Sequence, residues 1–189
     1  MEIVFDGQQS DEKILAVLSP HIGRLTVNIG KILIVLIAFY LVLWAIASFL
    51  PDTASKIRIA ATLLFIAGLA ASIWWSLVTF RKSKTYLTDR RIMRFELLSP
   101  IYTAKRSLFW SESLKAKGYS TNILWRLLKI GTVQVEPHAA TDESVRVTDI
   151  YLYEDVANYI DKIIFSLKNN PTTIGDVRPF IAKPKGQRQ

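Results

Sequence analysis

The chain has no cysteine, only two histidines, and not one formal charge in either of its two longest apolar stretches. Without cysteine there is no disulfide and no thiol chemistry. His21 and His138 lie on opposite sides of those stretches and have no cysteine partner, so no zinc-ligand spacing exists. The motifs G-x-S-x-G and H-E-x-x-H are missing, as is a glycine loop that could cradle phosphate. Carboxylates cluster at Asp142-Glu143 and Glu154-Asp155. Adjacent acids point in different directions, and the second pair falls in the first turn of an expected helix, where negative charge suits the macrodipole. No catalytic residue, cofactor site or metal site emerges, and the expected class is a binding protein, not an enzyme. Neither apolar stretch carries Asp, Glu, Lys, Arg or His, the usual marks of an intramembrane ion or proton path, which argues against a pump or transporter.

The apolar stretches themselves are the strongest feature present. Ile32–Leu50 and Ile59–Phe80 are uncharged over 19 and 22 residues. As helices they would be about 28 and 33 Å long, against a hydrocarbon core of about 30 Å. The link 51–58, PDTASKIR, starts with a proline and offers Asp52 and Thr53 as helix caps. So short a link makes the two helices antiparallel neighbours, and a transmembrane hairpin over 31–81 is expected. Arg24, Lys31, Arg81, Lys82, Lys84, Arg90, Arg91 and Arg94 flank its outer ends, whereas the link has only Lys56 and Arg58. The positive-inside rule therefore places both termini in the cytoplasm. In the second span Ala67 and Ala71 form one small-xxx-small pair, and Gly68 and Ser72 form another. These four residues are the expected helix-packing set, suited to close approach either within the chain or with a second protomer.

The net charge of +8 is concentrated beside the hairpin and in the C-terminal tail. Beside a membrane span such charge points to lipid headgroups rather than nucleic acid, with Arg81, Lys82, Lys84, Arg90 and Arg91 as the membrane-surface set. The start of the chain lacks a basic segment leading straight into an apolar one, so the first span is expected to be an uncleaved anchor. Residues 1–30 read as an amphipathic segment, with Ser10 or Asp11 capping a short helix through EKILAVL.

After the hairpin, short β-branched and aromatic runs alternate with Pro, Gly and polar punctuation. Strands are expected near 84–87, 92–97, 107–110, 114–119, 132–136 and 144–148. A helix follows, with Leu152, Val156, Ile160, Ile163 and Leu167 in one apolar stripe, Asp161 on its polar side and Asp149 as its cap. The expected fold is a membrane α-hairpin plus an α+β domain over 82–169, a small antiparallel β-barrel or sandwich capped by the C-terminal helix. Residues 170–189, rich in proline and cations, read as a disordered basic tail.

From Thr85-Tyr86-Leu87-Thr88-Asp89-Arg90-Arg91-Ile92 onward the chain resembles the membrane-associated bacterial pleckstrin-homology-like family. The resemblance continues in Gly131-Thr132-Val133-Gln134-Val135 and the helix over 151–167, and Pro20-His21 ahead of the first span fits it too. It covers about residues 10–167 and implies a seven-stranded, partly open barrel capped by a helix on the cytoplasmic face. One departure stands out: Leu98-Ser99-Pro100 has no glycine where the family turns after its second strand. Eukaryotic domains of that fold hold inositol phosphates with a K-xn-K/R-x-R pattern, and no K/R-x-R triplet occurs between the first two expected strands here.

The resemblance implies a scaffold that oligomerises or binds other membrane proteins. Asn122–Ile130 supplies a surface for this, because Ile123, Leu124, Leu127, Leu128 and Ile130 are too many apolar residues for one face of one turn. Leu124, Trp125, Leu127 and Leu128 are the expected partner surface; the other outcome is that the segment folds back into the barrel mouth. The reading is a bacterial inner-membrane protein whose cytoplasmic pleckstrin-homology-like domain mediates self-association or contact with another membrane protein. The alternatives are an accessory subunit of a transport or envelope stress-resistance complex, and a nonspecific anionic-lipid binder.

Overall fold

A computed structural model describes residues 5–99, 102–139, 143–169 and 177–181. The chain divides into two compact units, one made of residues 22–81 and the other of the segments on either side of them.

The first unit is the helical pair. Helix α1 (Ile22–Phe49) and helix α2 (Ala54–Lys82) are joined by a single 3₁₀ turn at Pro51–Thr53. Both are long and apolar enough to cross a membrane. They run antiparallel: the Tyr40 and Phe65 rings lie 5.5 Å apart, and the Arg58 guanidinium sits 4.4 Å from the Trp44 ring centre. A methyl group at Gly68 would come 3.2 Å from Leu36 Cδ2, so α1 approaches α2 closely there.

Among the described residues the second unit contains seven strands and two α-helices. Strand β1 (Ile14–Leu18) precedes the helical pair. Strands β2 (Lys84–Thr88), β3 (Arg91–Leu97), β4 (Thr103–Phe109), β5 (Ser113–Tyr119), β6 (Ile130–Pro137) and β7 (Val145–Tyr151) follow it. They form two antiparallel sheets, β1-β2-β3-β4 and β5-β6-β7, rather than one closed barrel. A short helix α3 (Ile123–Leu127) joins β5 to β6, and α4 (Tyr153–Asn169) ends the domain. One apolar core draws Leu15, Leu87, Ile92 and Leu108 from the first sheet, Val133, Val135, Val145 and Val147 from the second, and Val156, Ile160 and Ile163 from α4. The outer face of the first sheet is covered by Phe5, which stacks on Tyr86 at 4.7 Å.

Four expectations need correction. The helix-packing set Ala67, Gly68, Ala71 and Ser72 does not act as one surface. Gly68 meets α1, and Ser72, one turn further along the same stripe, is half-buried, whereas Ala67 and Ala71 are exposed. Neighbouring positions on a helix are rotated by about 100°, so the Ala67 and Ala71 pair is centred on a different face from the one that meets Leu36. Only the Gly68 and Ser72 pair fits packing within the chain.

The short helix through EKILAVL is the strand β1, which pairs with β2 in the register Leu18↔Thr85. A β-bulge between Ile14 and Ala16 breaks the two-residue alternation, so the buried Leu15 and Leu18 fall three apart and imitate a helical face. Asp149 does not cap α4; it lies in β7 with a left-handed φ of 59°, and the residue before α4 is Leu152, at φ 54°. Asp161 is more than a polar-side residue, since its Oδ1 accepts the Ala116 N–H at 2.6 Å and ties α4 to β5.

In the tail, Val177–Ile181 lie along α4: the Tyr159 hydroxyl donates to Arg178 O at 2.9 Å, and the Phe180 N–H donates to Leu15 O at 3.3 Å. The rest of the expected tail, 170–176 and 182–189, is outside the described residues, as are Pro100 and Asp142. The glycine-free turn is closed by Ser99, whose hydroxyl accepts the Tyr102 N–H at 3.0 Å.

Candidate functional site

Antiparallel connectivity gives the β domain two ends. At one, here the near end, the chain leaves for α1 and returns from α2. Three residues separate β1 from α1, and Ser83 alone separates α2 from β2. The β3–β4 turn, the β5–β6 connection with α3, and the start of α4 lie at this end. The opposite, far end carries the β2–β3 turn, the 3₁₀ turn Trp110–Glu112 after β4, and the β6–β7 connection.

The near end is held together by backbone. His21 N–H donates to Asp149 O at 2.6 Å, and Leu152 N–H donates to Lys129 O at 2.8 Å. The His21 and Tyr151 rings are 6.1 Å apart. Three non-glycine residues with left-handed φ gather here, Lys129, Asp149 and Leu152. Such a conformation costs about 1–2 kcal/mol per residue, so its concentration at one end is a local strain that the packing must hold. Gly131, which opens the G-T-V-x-V stretch, has a structural reason to lack a side chain: a methyl there would lie 2.5 Å from Tyr153 Cγ and 2.7 Å from Tyr119 O.

From this frame α3 projects. Its backbone is closed by Arg126 N–H to Asn122 O at 2.9 Å and Leu128 N–H to Leu124 O at 3.1 Å, while the Ser120 hydroxyl donates to Ile130 O at 3.0 Å. Its side chains turn outward. Ile123, Leu124, Leu127 and Leu128 are 88, 74, 80 and 54% exposed, and Trp125 is half-buried. Of the five apolar residues in surplus, only Ile130 turns into the domain, completely buried at the start of β6; the four on and beside α3 do not fold back. Leu98 and Tyr102 in the β3–β4 turn, and Tyr119 and Tyr151 beside α3, are exposed at the same end.

The far end is polar and internally paired. Glu12, completely buried, receives two hydrogen bonds from Arg91 (Nε to Oε1 and Nη2 to Oε2, each 3.0 Å), one from the Thr88 hydroxyl at 2.8 Å and one from Gln9 N–H at 3.0 Å. Burial alone would push the Glu12 carboxyl up. The hydrogen bonds from Arg91, Gln9 and Thr88 outweigh it and hold the group below the usual carboxylate range. The same hydrogen bond, from the other side, raises Arg91 further. Arg91 Nη2 also reaches Gly7 O at 2.6 Å, Arg90 pairs with Asp11, and Asp89 Oδ1 accepts the Lys13 N–H at 3.0 Å. The Thr88–Arg91 stretch of the family-like motif thus clasps the segment ahead of the first span.

The five cations of the expected membrane-surface set are not one patch. Arg81, Lys82 and Lys84 are exposed where α2 hands the chain to β2. Arg90 and Arg91 stand beyond the other end of β2, about 16 Å away at 3.3 Å per residue, and both are engaged in ion pairs. The acidic partners Asp11 and Glu12 were missed in the sequence; the signal was their match to the adjacent arginines Arg90 and Arg91, hidden by nearly eighty intervening residues. Among the described residues no three His, Cys, Asp or Glu side chains form a group that could hold a metal. Comparison with known proteins yields no matching family model, no matching curated protein and no matching solved structure, so the pleckstrin-homology-like resemblance rests on the residues that carry it.

Proposed function

We propose that this is an integral protein of the bacterial inner membrane in which a non-catalytic, pleckstrin-homology-like binding domain is anchored by a two-helix hairpin, and that α3 is the domain's contact surface. Both termini and the domain are cytoplasmic in this reading, which rests on the cation bias around the spans. The observation that carries it is the exposure of four large apolar side chains in and beside one five-residue helix of an otherwise well-packed domain. Exposed apolar side chains scattered singly are normal; a contiguous group marks a contact site.

Because the chain has no cysteine, single substitutions report cleanly. A cysteine at Thr53 reacts with a membrane-impermeant thiol reagent in intact cells and one at Ser166 does not; the reverse pattern overturns the orientation. A photo-crosslinking residue at Leu127 of the full chain forms adducts in cells, whereas one at His138 does not. Equal yields at both positions overturn α3 as the contact surface.

A further inference from the structure

Building on α3 as the contact surface, we infer that its occupant is the anionic headgroup layer of the bilayer that holds the hairpin. Three observations converge. The first is connectivity. Helices α1 and α2 are 28 and 29 residues long, about 42 and 44 Å, which matches a bilayer including its headgroups at about 40–45 Å. With three residues and one residue as connectors, the near end of the domain is tethered at the headgroup layer. A connector adds at most about 3.5 Å of reach per residue.

The second is the distribution of exposed apolar groups. At the near end Leu98 and Tyr102, between β3 and β4, are 59 and 62% exposed, and Ile123, Leu124, Leu127 and Leu128 are 54–88% exposed; Phe109 and Leu114 at the far end are less so, at 37 and 43%, and Phe165 on α4 stands alone. Two separate turns, both apolar and both at the end where the chain enters its spans, fit a planar surface lying across that end. The third is charge. The segments 98–102 and 119–131 contain two cations, Arg126 and Lys129, and no acid. The acids of this end, Glu96, Asp149, Glu154 and Asp155, belong to β3, β7 and the first turn of α4 rather than to the projecting segments, and Glu96 is paired with Arg94. Apolar side chains with tryptophan, tyrosine and flanking cations are the composition that settles at the boundary of headgroups and acyl chains.

The test uses the full chain reconstituted in phosphatidylethanolamine/phosphatidylglycerol vesicles. Single cysteines replace Leu127, Leu98 or His138 and carry an environment-sensitive fluorophore. Lipids bearing a quencher near the headgroup are compared with aqueous iodide present on both sides of the membrane. The expected result is strong lipid quenching at positions 127 and 98, with iodide quenching at 138. Adding Arg126→Glu and Lys129→Glu to the Leu127→Cys chain lowers lipid quenching several-fold in these vesicles, and less in phosphatidylcholine. Protection of position 127 from both quenchers that disappears when protein is diluted with empty lipid overturns the inference; α3 then binds a second copy, and the contact-surface reading stands. Protection from both at every density, or iodide quenching at every density, overturns both readings.

Discussion

The two ends of the β domain are built from opposite materials. At the far end a buried carboxylate, a guanidinium, a threonine hydroxyl and backbone groups satisfy one another, and Trp110 is buried with its Nε1–H on Thr88 O at 2.9 Å. At the near end backbone hydrogen bonds hold three left-handed residues in place, and large apolar side chains are left in the open. One end commits its side chains to the fold. The other holds its fold with backbone and leaves those side chains outside its own packing, where the proposed contact would use them. If α3 is the contact surface, stability and contact lie at different ends of the strands, and mutations should separate them.

The largest effects should come from the far end. Trp110→Ala removes a nearly inaccessible indole and a buried hydrogen bond and should cost about 3–5 kcal/mol. Glu12→Ala leaves the partly buried Arg91 without its counter-charge and a void where the buried carboxylate sat, with an expected cost of about 3 kcal/mol. Thermal unfolding of the full chain in detergent, followed by limited proteolysis of the domain, measures both; a change in melting as small as for surface variants would refute the pairing as a structural clasp. Gly131→Ala should follow at about 1–3 kcal/mol, because the added methyl meets the Tyr153 ring and the Tyr119 carbonyl, neither of which is a flexible chain end. Here the strain lies at the near end but inside its frame, so Gly131→Ala should also loosen α3.

Acid sharpens the same contrast. The Glu12 carboxyl is lowered in the folded chain, so its contribution is complete above the unfolded value, about 4.3, and is lost as pH falls below that toward the folded value. Melting temperature should therefore drop on acidification, and Glu12→Gln should flatten that part of the profile. A variant profile as steep as the native one would assign the acid sensitivity elsewhere. The smallest effect is expected at α3 itself: Leu124→Ser with Leu127→Ser should stay within about 0.5 kcal/mol of the native stability while lowering crosslinking at the near end. Loss of stability comparable to Gly131→Ala would mean that α3 belongs to the fold and not to a contact.

Elements whose signal is local could be read from the residues alone. Two uncharged runs of membrane-spanning length, the alternation of Val133 and Val135, and the stripe through Val156, Ile160 and Ile163 each declare their structure within a window of a few turns, and all of these residues fall where the pattern placed them. The excess of apolar residues around Trp125 was also legible, because five such residues cannot share one face of a single turn. Their direction was not legible: whether Leu124 and Leu127 point inward depends on the space beside β6 and α4, which no local pattern encodes. The small residues of α2 teach the same lesson, since the spacing of Ala67 and Ala71 is identical to that of Gly68 and Ser72, and only the approach of Leu36 tells the two pairs apart. Strand β1 was hidden for a related reason. Its bulge erases the two-residue period, and its partner β2 lies beyond the whole hairpin, so neither its periodicity nor its neighbours betray it. The pairing of Glu12 with Arg91 follows from that strand. A charge that follows a long apolar helix reads as a surface cation until the fold brings a buried carboxylate within 3.0 Å of it, and that contact exists only once the chain has closed on itself across the helical pair.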